Sequence, residues 1–218
     1  HDLTDAGKQQ AILTGEWLRA HGLSFDEYVV SGFLRAMRSA ALLDIAGARW
    51  KIDERLCEKD SGLLNTLTPS KVRLHIAARG HIRHEHDPYR FRPEHGESFL
   101  DLDGRIRPVF EEMKKRTLVV CHGHVIRVLD RVIMEGMSAW EFGLFHPVRG
   151  DIPNGTLIEY QRDGDVWLRR QSVPHRGAPP SDEWRPIIPI RHSNTELTNN
   201  IERVLAHVRS LKKGEAAE

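Results

Sequence analysis

The segment TLVVCHGHVIR, residues 117–127, decides the fold of this chain. It opens with an apolar, β-branched run, which predicts a short strand buried on both faces. At His122 and Gly123 the pattern becomes helical, so we expect a sharp corner at the carboxyl edge of a sheet. Open α/β folds bind ligands at that edge, and amides at a helix start favour an anion. His122 therefore either faces an anion or hydrogen-bonds the turn.

A buried strand followed by a helix is also predicted earlier in the chain. Residues 28–30 (YVV) predict a second buried strand, which ends at Ser31, and a helical pattern begins near Phe33. Strands that alternate with helices predict an α/β fold: a three-layer sandwich with a mostly parallel central sheet and helices on both faces. The turn signal DGD at 163–165, between two alternating runs, adds an antiparallel hairpin at one end.

The other segments follow local start and stop signals. Thr4 is a good N-cap for a first helix that Gly22 stops, and Ser98 is a good N-cap for a long amphipathic helix. The remaining predicted segments are a helix at 33–47, an edge strand at 50–54, a helix at 68–79, a lid-like loop at 81–97, a proline-rich wrapping segment or linker at 174–189 and a terminal helix at 198–213. We expect one main domain over residues 1–175 and a C-terminal extension over residues 176–218.

The composition limits the classes of function. The chain has 218 residues, of which 39% are hydrophobic and 29% charged, and its formal net charge is +1. This balance argues against general nucleic-acid binding, and no apolar run approaches the length of a membrane span. The first residues do not resemble a signal peptide. Cys57 and Cys121 are the two cysteines, and we expect both to be reduced thiols in a cytoplasmic protein.

Three side chains form a candidate set for phosphoryl transfer. Arg35 comes in the first turn of the helix after the strand at 28–30, so it can reach over the same sheet edge as His122. A planar guanidinium binds two phosphate oxygens and stays charged at any working pH. Glu58 follows in a loop, and a carboxyl that could be held protonated there would complete the set.

Five motifs resemble, in order and spacing, those of the histidine phosphatase superfamily, the phosphoglycerate-mutase-like fold. They are LTxxGxxQA at 3–11, SGFLRAMRSA at 31–40, ExxxG at 58–62, GES at 96–98 and VCHG at 120–123. Asn154 also resembles an Asn turn that comes late in the family's chain. The resemblance covers roughly residues 2–174.

The resemblance implies cleavage of a phosphomonoester on a small metabolite, without metal or other cofactor, through a phosphohistidine intermediate. Arg35 would clamp the phosphate, His122 would hydrogen-bond the phosphoryl oxygens and Glu58 would be the general acid. The implied substrate-binding residues are Gly123, Arg90 and Arg92. We expect no nucleic-acid or membrane partner, and the sequence is compatible with a homodimer. A phosphoglycerate-type mutase and a non-catalytic phospholigand-binding or scaffolding protein are the alternatives.

The nucleophile of the family lies in an Arg-His-Gly motif upstream of the Leu-Thr segment, and this sequence starts just before that segment, at His1. One explanation is a natural N-terminal portion that precedes residue 1. A second is a circular permutation in which the apolar run at 187–190 and His192 supply the motif. A third is a degenerate member that has lost the nucleophile and only binds phosphorylated ligands.

The remaining polar candidates favour structural or solvent-facing roles. His81, His84 and His86 have a spacing that could hold a transition metal, but the segment is loop-like and lacks Cys or carboxylate partners at fixed spacing. We therefore predict no metal site there. We expect His124 to be exposed in the first turn of its helix, and Glu97 to orient the start of the helix after Ser98.

Overall fold

The computed structural model of the chain describes residues 2–68, 89–113, 115–130, 152–176 and 184–187, and the single positions 193, 195, 198, 199 and 202. Its helices are α1 (Asp5–Ala20), α2 (Leu34–Leu42), α3 (Phe99–Glu112) and α4 (Gly123–Val128). Its strands are β1 (Glu27–Ser31), β2 (Trp50–Asp53), β3 (Thr117–Val120), β4 (Leu157–Asp163), β5 (Val166–Ser172) and β6 (Arg185–Ile187). Short 3₁₀ turns lie at Glu54–Leu56, Gly62–Thr66 and Pro174–Arg176.

The first sheet is parallel and has the strand order β2-β1-β3. In the middle strand, Val29 lies opposite Lys51 of β2 and opposite Val119 of β3. Because the strands run the same way, their carboxyl ends meet at one edge of the sheet. Ser31 ends β1 at that edge, and the chain leaves β3 there toward His122. The predicted parallel sheet is therefore confirmed, and among the described strands β2 is at its edge, as expected.

Helices cover both faces of this sheet, because successive strand side chains point to opposite faces. On one face, Val30 packs with Ala36 and Ala40 of α2. On the other face, Val29 belongs to a cluster with residues of α3 and α4, namely Leu102, Ile106, Val109, Val125 and Val128. Leu102, Ile106, Val125 and Val128 have no exposed surface, so they form the centre of this core. The arrangement confirms the predicted three-layer α/β fold.

The helix ends follow the predicted signals, with one exception. The Thr4 hydroxyl accepts a hydrogen bond from the Gly7 N–H at 3.1 Å, and Ser98 forms a capping box with Asp101. The predicted helix at 33–47 is too long, since α2 ends at Leu42. Asp44 takes a φ of 49°, a left-handed conformation that an α-helix cannot continue through.

The second sheet is antiparallel and has the strand order β4-β5-β6. The predicted hairpin is confirmed, with Gly164 at a φ of 58° in the turn between β4 and β5. The interpretation of residues 174–189 as a wrapping segment or linker is wrong in part, because β6 pairs with β5 there. Pro186 lies opposite Leu168 in this pairing, which a proline allows on an edge strand.

Among the described strands, each sheet ends in two strands that have no further partner: β2 and β3 in the first sheet, and β4 and β6 in the second. β3 is hydrogen-bonded to β1 on one side, and β4 is hydrogen-bonded to β5 on one side; within the described ranges no strand pairs with the other edge of either. The start of the run proposed for a circular permutation, at Ile187, lies in β6 and is antiparallel to β5. This pairing places the start of that run in the second sheet and not beside β3.

Several predicted features lie outside the described residues: the helix at 68–79, the histidines at 81, 84 and 86, most of the lid-like loop, His192 and most of the terminal helix. Of the helices that the structure does describe, none is both long and apolar enough to cross a membrane.

Candidate active site

His122 lies at the corner between β3 and α4, at the carboxyl edge of the parallel sheet, and only 8% of it is exposed. Its Nε2 atom is 2.8 Å from the side-chain oxygen of Ser31, which ends the neighbouring strand β1 and has no exposed surface. The Phe33 N–H donates to the same hydroxyl at 3.3 Å. The Ser31 hydroxyl therefore connects the β1–α2 loop to the His122 ring.

The surroundings of His122 favour its neutral form. Burial lowers the pKa of the imidazole to about 4, because a charged ring would lose its hydration. The negative charge of Glu58 raises this pKa, whereas the positive charges of Arg35 and Arg105 lower it. An uncharged ring at neutral pH can still donate one hydrogen bond to a phosphoryl oxygen.

Arg35 and His122 both contact the aromatic ring of Phe33. Its guanidinium carbon is 4.8 Å from the centre of the Phe33 ring, and the edge-to-face contact between Phe33 and His122 has a centroid distance of 5.3 Å. Arg35 comes one residue after the start of α2, so the turn after β1 directs it to this edge. The structure thus brings Arg35 and His122, two of the predicted site residues, against the same Phe33 ring.

Glu58 lies in the loop after β2, and three groups contact its carboxylate. The Lys59 N–H donates to Oε1 at 2.9 Å, and the His124 N–H donates to Oε2 at 3.5 Å. The His124 Nδ1 atom is 3.3 Å from Oε1. Burial raises the pKa of Glu58, but the opposing effect of His124 and the amides is larger, so the net pKa is lowered. The sequence analysis expected a carboxyl that could be held protonated, and the contacts instead favour the carboxylate.

An ion pair fixes the loop that carries Glu58. Arg105 of α3 donates from Nε to the Glu97 carboxylate at 2.6 Å, and it also donates to the carbonyl oxygens of Arg55 and Glu58. The same Glu97 carboxylate accepts the Asp60 N–H at 3.0 Å. Glu97 therefore has a structural role, as expected, although it holds the Glu58 loop as well as the helix start.

Two glycines let this loop approach the segment before α3. Gly62 has a φ of 52°, and a Cβ there would lie 2.1 Å from the carbonyl oxygen of Glu94. A Cβ at Gly96 would lie 2.8 Å from the carbonyl oxygen of Asp60. The motifs ExxxG at 58–62 and GES at 96–98 are thus in contact, which explains why both need a glycine.

The predicted substrate-binding residues lie around this set in different ways. Gly123 faces open space, since a Cβ there would meet nothing within 4 Å. Arg92 forms an ion pair with Asp101 at the start of α3, and Arg90 is exposed in a turn. Lys59, which the sequence analysis did not select, has its ammonium 5.1 Å from the centre of the Phe99 ring. Burial lowers the pKa of Lys59, while the acidic groups around it, Glu97 first, raise it.

The sequence analysis did not select Ser31 or Arg105, which also contact the site. Ser31 was noted only as the end of a strand, although a hydroxyl at that edge is a signal for a side-chain contact there. Arg105 has no local signal, because its partners are 8 and about 50 residues away in the chain. The expectation that His124 is exposed holds only in part, since 36% of its side chain is exposed but its Nδ1 atom is buried beside Glu58.

The two cysteines lie near this edge and neither forms a disulfide. Cys57 Sγ is 3.6 Å from the Ser31 hydroxyl. Burial raises the pKa of the Cys121 thiol to about 12, so it remains protonated at neutral pH and is a poor nucleophile.

Comparisons with known proteins agree with this geometry. The chain is 30% identical over 177 residues to a 2,3-bisphosphoglycerate-dependent phosphoglycerate mutase from Azorhizobium caulinodans, covering 74% of this chain and 85% of that protein. It is 32% identical over 138 residues to the rat 6-phosphofructo-2-kinase/fructose-2,6-bisphosphatase 1; that match covers 62% of this chain and spans only 28% of the length of the rat protein.

A solved structure and a family model also match this chain. The fold resembles that of a mycobacterial glucosyl-3-phosphoglycerate phosphatase solved with inorganic phosphate, with a TM-score of 0.59, 22% sequence identity and 85% of each chain covered. At this identity the likeness establishes the fold alone. The model of the histidine phosphatase superfamily (branch 1) matches residues 1–172. The chain therefore belongs to the histidine phosphatase superfamily.

Proposed function

We propose that this protein is a cytoplasmic, metal-independent phosphomonoester hydrolase that acts on a small phosphorylated metabolite through a phosphohistidine intermediate. The observation that carries the proposal is the meeting of three groups at one sheet edge. Arg35 and His122 both contact the Phe33 ring, and Glu58 lies close enough to His122 to raise its pKa. A fixed cation, a neutral imidazole donor and a carboxyl group are what phosphoryl transfer to and from a histidine requires.

Each group has one role in the proposed reaction. Arg35 binds two oxygens of the phosphoryl group, and His122 donates to an oxygen on which negative charge develops. A nucleophilic imidazole nitrogen attacks phosphorus, the P–O ester bond breaks, and the leaving oxygen takes a proton from the Glu58 carboxyl. Water then attacks phosphorus, the P–N bond breaks, and Glu58 accepts the proton of the water.

The nucleophile must be a second histidine at the same edge. The outer edge of β3, which no described strand occupies, is a place where a further parallel strand would fit. The last residue of such a strand would lie beside His122, because parallel strands end at a common edge. We propose that a strand at this edge carries the nucleophile.

The proposal is tested by assaying the full natural chain with 4-nitrophenyl phosphate and a panel of small phosphomonoesters in the presence of a chelator. We expect release of inorganic phosphate, which His122→Gln abolishes and the exposed control His21→Gln leaves unchanged. Acid-labile, alkali-stable labelling of the protein by a radioactive substrate would identify the phosphohistidine. Binding of phosphate without turnover in the same preparation would contradict the proposal and support a phospholigand-binding protein.

A mutase is the second candidate, and the similarity to a phosphoglycerate mutase over 74% of this chain favours it. A mutase moves the phosphoryl group to an acceptor hydroxyl, so it releases little inorganic phosphate. Incubating the protein with a phosphorylated three-carbon acid and a bisphosphorylated primer separates the two, because isomerised product that exceeds free phosphate would identify a mutase.

A further inference from the structure

Both oxygens of the Glu58 carboxylate face one residue, His124. Oε1 is 3.3 Å from the imidazole Nδ1 atom, and Oε2 accepts the backbone N–H at 3.5 Å. No solvent reaches Nδ1, and the contact is off the line of an ideal hydrogen bond, so in the unliganded site this nitrogen is left unsatisfied. Catalytic hydrogen bonds are often long in empty sites and shorten when substrate binds. The remainder of the ring is partly open, with 36% of the side chain exposed.

The charges around Glu58 leave its carboxyl without a proton. The Lys59 backbone N–H donates to its Oε1 atom, His122 lies near it at the β3–α4 corner, and Arg105 of α3 donates to the Glu58 carbonyl oxygen. The pKa of Glu58 is lowered despite its burial, chiefly through His124. A general acid must nevertheless carry a proton when the leaving oxygen departs. The proton must therefore be held by a neighbour that can return it to Glu58.

We propose that His124 is a positioning residue that holds the proton delivered by Glu58 to the leaving group. This inference rests on the proposed phosphatase activity. Before the ester bond breaks, the His124 ring carries a proton on both nitrogens. As the ester bond breaks, the Nδ1 proton moves to the Glu58 carboxylate, the Glu58 carboxyl gives a proton to the leaving oxygen, and the ring is left neutral with its other proton on Nε2. In the second step the proton of the attacking water passes to Glu58 and from there to Nδ1, so the pair ends as it began. Histidine suits this role because it gains and loses a proton near neutral pH.

A packing role for His124 is the competing explanation, since its ring centre is 5.4 Å from that of Phe99. The two explanations differ in how the rate depends on the leaving group. An alkoxide is a poor leaving group and needs a proton, whereas a strongly acidic phenol leaves as the anion without one. Loss of a proton reserve therefore slows hydrolysis of an alkyl phosphate, while loss of packing slows the hydrolysis of both esters equally.

The test compares His124→Asn with wild type on glycerol phosphate and on 2,4-dinitrophenyl phosphate. Asparagine keeps an N–H donor beside Glu58 but cannot titrate. We expect kcat/KM, which reports the transfer of the phosphoryl group from the ester, to fall about 100-fold on the alkyl ester and to stay within about 3-fold on the aryl ester, with Glu58→Gln giving the same split. His21→Asn is the matched control, because His21 is exposed and its ring stacks on Trp17 of α1. It should leave both rates unchanged.

The outcomes separate this inference from the proposed function. Equal losses on both esters, or no loss on either, would overturn the role of His124 while the phosphatase remains. If wild type hydrolyses neither ester, the proposed function fails and the inference falls with it. Should His124→Asn fail to fold, His124→Gln, which also keeps an amide donor and cannot titrate, is measured on the same two esters. Equal losses on both esters with His124→Gln would overturn the inference.

Discussion

The hydroxyl of Ser31 lies 2.8 Å from Nε2 of His122, and neither group is open to solvent. Because this hydroxyl already accepts the Phe33 N–H, we assign its own proton to Nε2, which is a closer and stronger acceptor than the Cys57 sulfur at 3.6 Å. The neutral ring then carries its proton on Nδ1. Ser31 thus selects the tautomer in which His122 has one donor left for a ligand.

Replacing Ser31 with alanine should release the His122 ring. We expect Ser31→Ala to lower kcat by about 10-fold or more and to cost about 1 kcal/mol of unfolding free energy, because a buried N–H and a ring nitrogen lose their partner. Ser31→Thr keeps the hydroxyl but adds a methyl group where nothing is exposed, so it should lose stability while retaining the pH profile of kcat. Identical pH profiles for both variants would contradict the tautomer assignment. Steady-state kinetics and urea unfolding measure these effects.

The phosphate affinity should depend on Arg35 more than on total charge. Arg35→Lys keeps the charge but loses the planar fork and the stacking on Phe33, so the Kd for inorganic phosphate should rise about 10-fold, which is about 1.4 kcal/mol. Arg38→Lys is the matched control, since Arg38 lies on the same helix but is paired with Asp2 at the surface. Calorimetric titration with phosphate measures both. Equal affinities for the two variants would show that Arg35 does not clamp the anion.

The ion pair between Arg105 and Glu97 should hold the loop of Glu58 in place. Arg105→Met should cost roughly 2–3 kcal/mol, because it leaves the Glu97 charge without its partner; the side chains are 23% and 20% exposed, which reduces the penalty below that of a fully buried pair. We also expect faster proteolysis within residues 54–62.

A double variant isolates the charge effect. Adding Glu97→Gln to Arg105→Met removes the unpaired charge and should restore about 1 kcal/mol, although the hydrogen bonds to the loop carbonyls stay broken. Unfolding in urea measures the double-mutant cycle. Strictly additive losses would mean that Glu97 and Arg105 do not act as a pair.

The low pKa of His122 makes stability depend on pH. Its pKa of about 4 in the folded protein is below the value of an unfolded histidine, so between these values the unfolded chain binds more protons and stability falls as pH falls. From pH 7 to pH 5 this one group should remove about 2 kcal/mol of unfolding free energy from wild type. His122→Gln should lack that loss, whereas His21→Gln should retain it. Urea unfolding at the two pH values provides the comparison, and equal slopes for all three proteins would contradict the shift.

The sheet and the main helices could be predicted from the sequence because each depends on residues that are close together in the chain. The alternation of Val29 and Val30 between two faces, the Thr4 cap and the capping signal at Ser98 each depend on residues within one element. The early end of α2 was missed, because aspartate in a left-handed conformation has no signal in a helical pattern.

The site was only partly predictable, because its contacts join residues that are far apart in the sequence. Residues 35, 58 and 122 could be selected by residue type and position at a strand end, but their partners are set by packing between distant segments. Ser31 meets His122 across 91 residues, and Glu58 meets His124 across 66. The pairing of His124 with a carboxylate also buries one ring nitrogen of a histidine that was expected to be exposed, because the loop after β2 contacts the corner after β3.

The outer edges of β3 and β4, which no described strand occupies, affect how a concentrated preparation of this protein behaves. A bare ladder of backbone N–H and C=O groups readily pairs with the same ladder on another molecule. Such a preparation is expected to aggregate with time and concentration, and a synthetic peptide of extended, β-branched sequence that docks on β3 should keep it monodisperse.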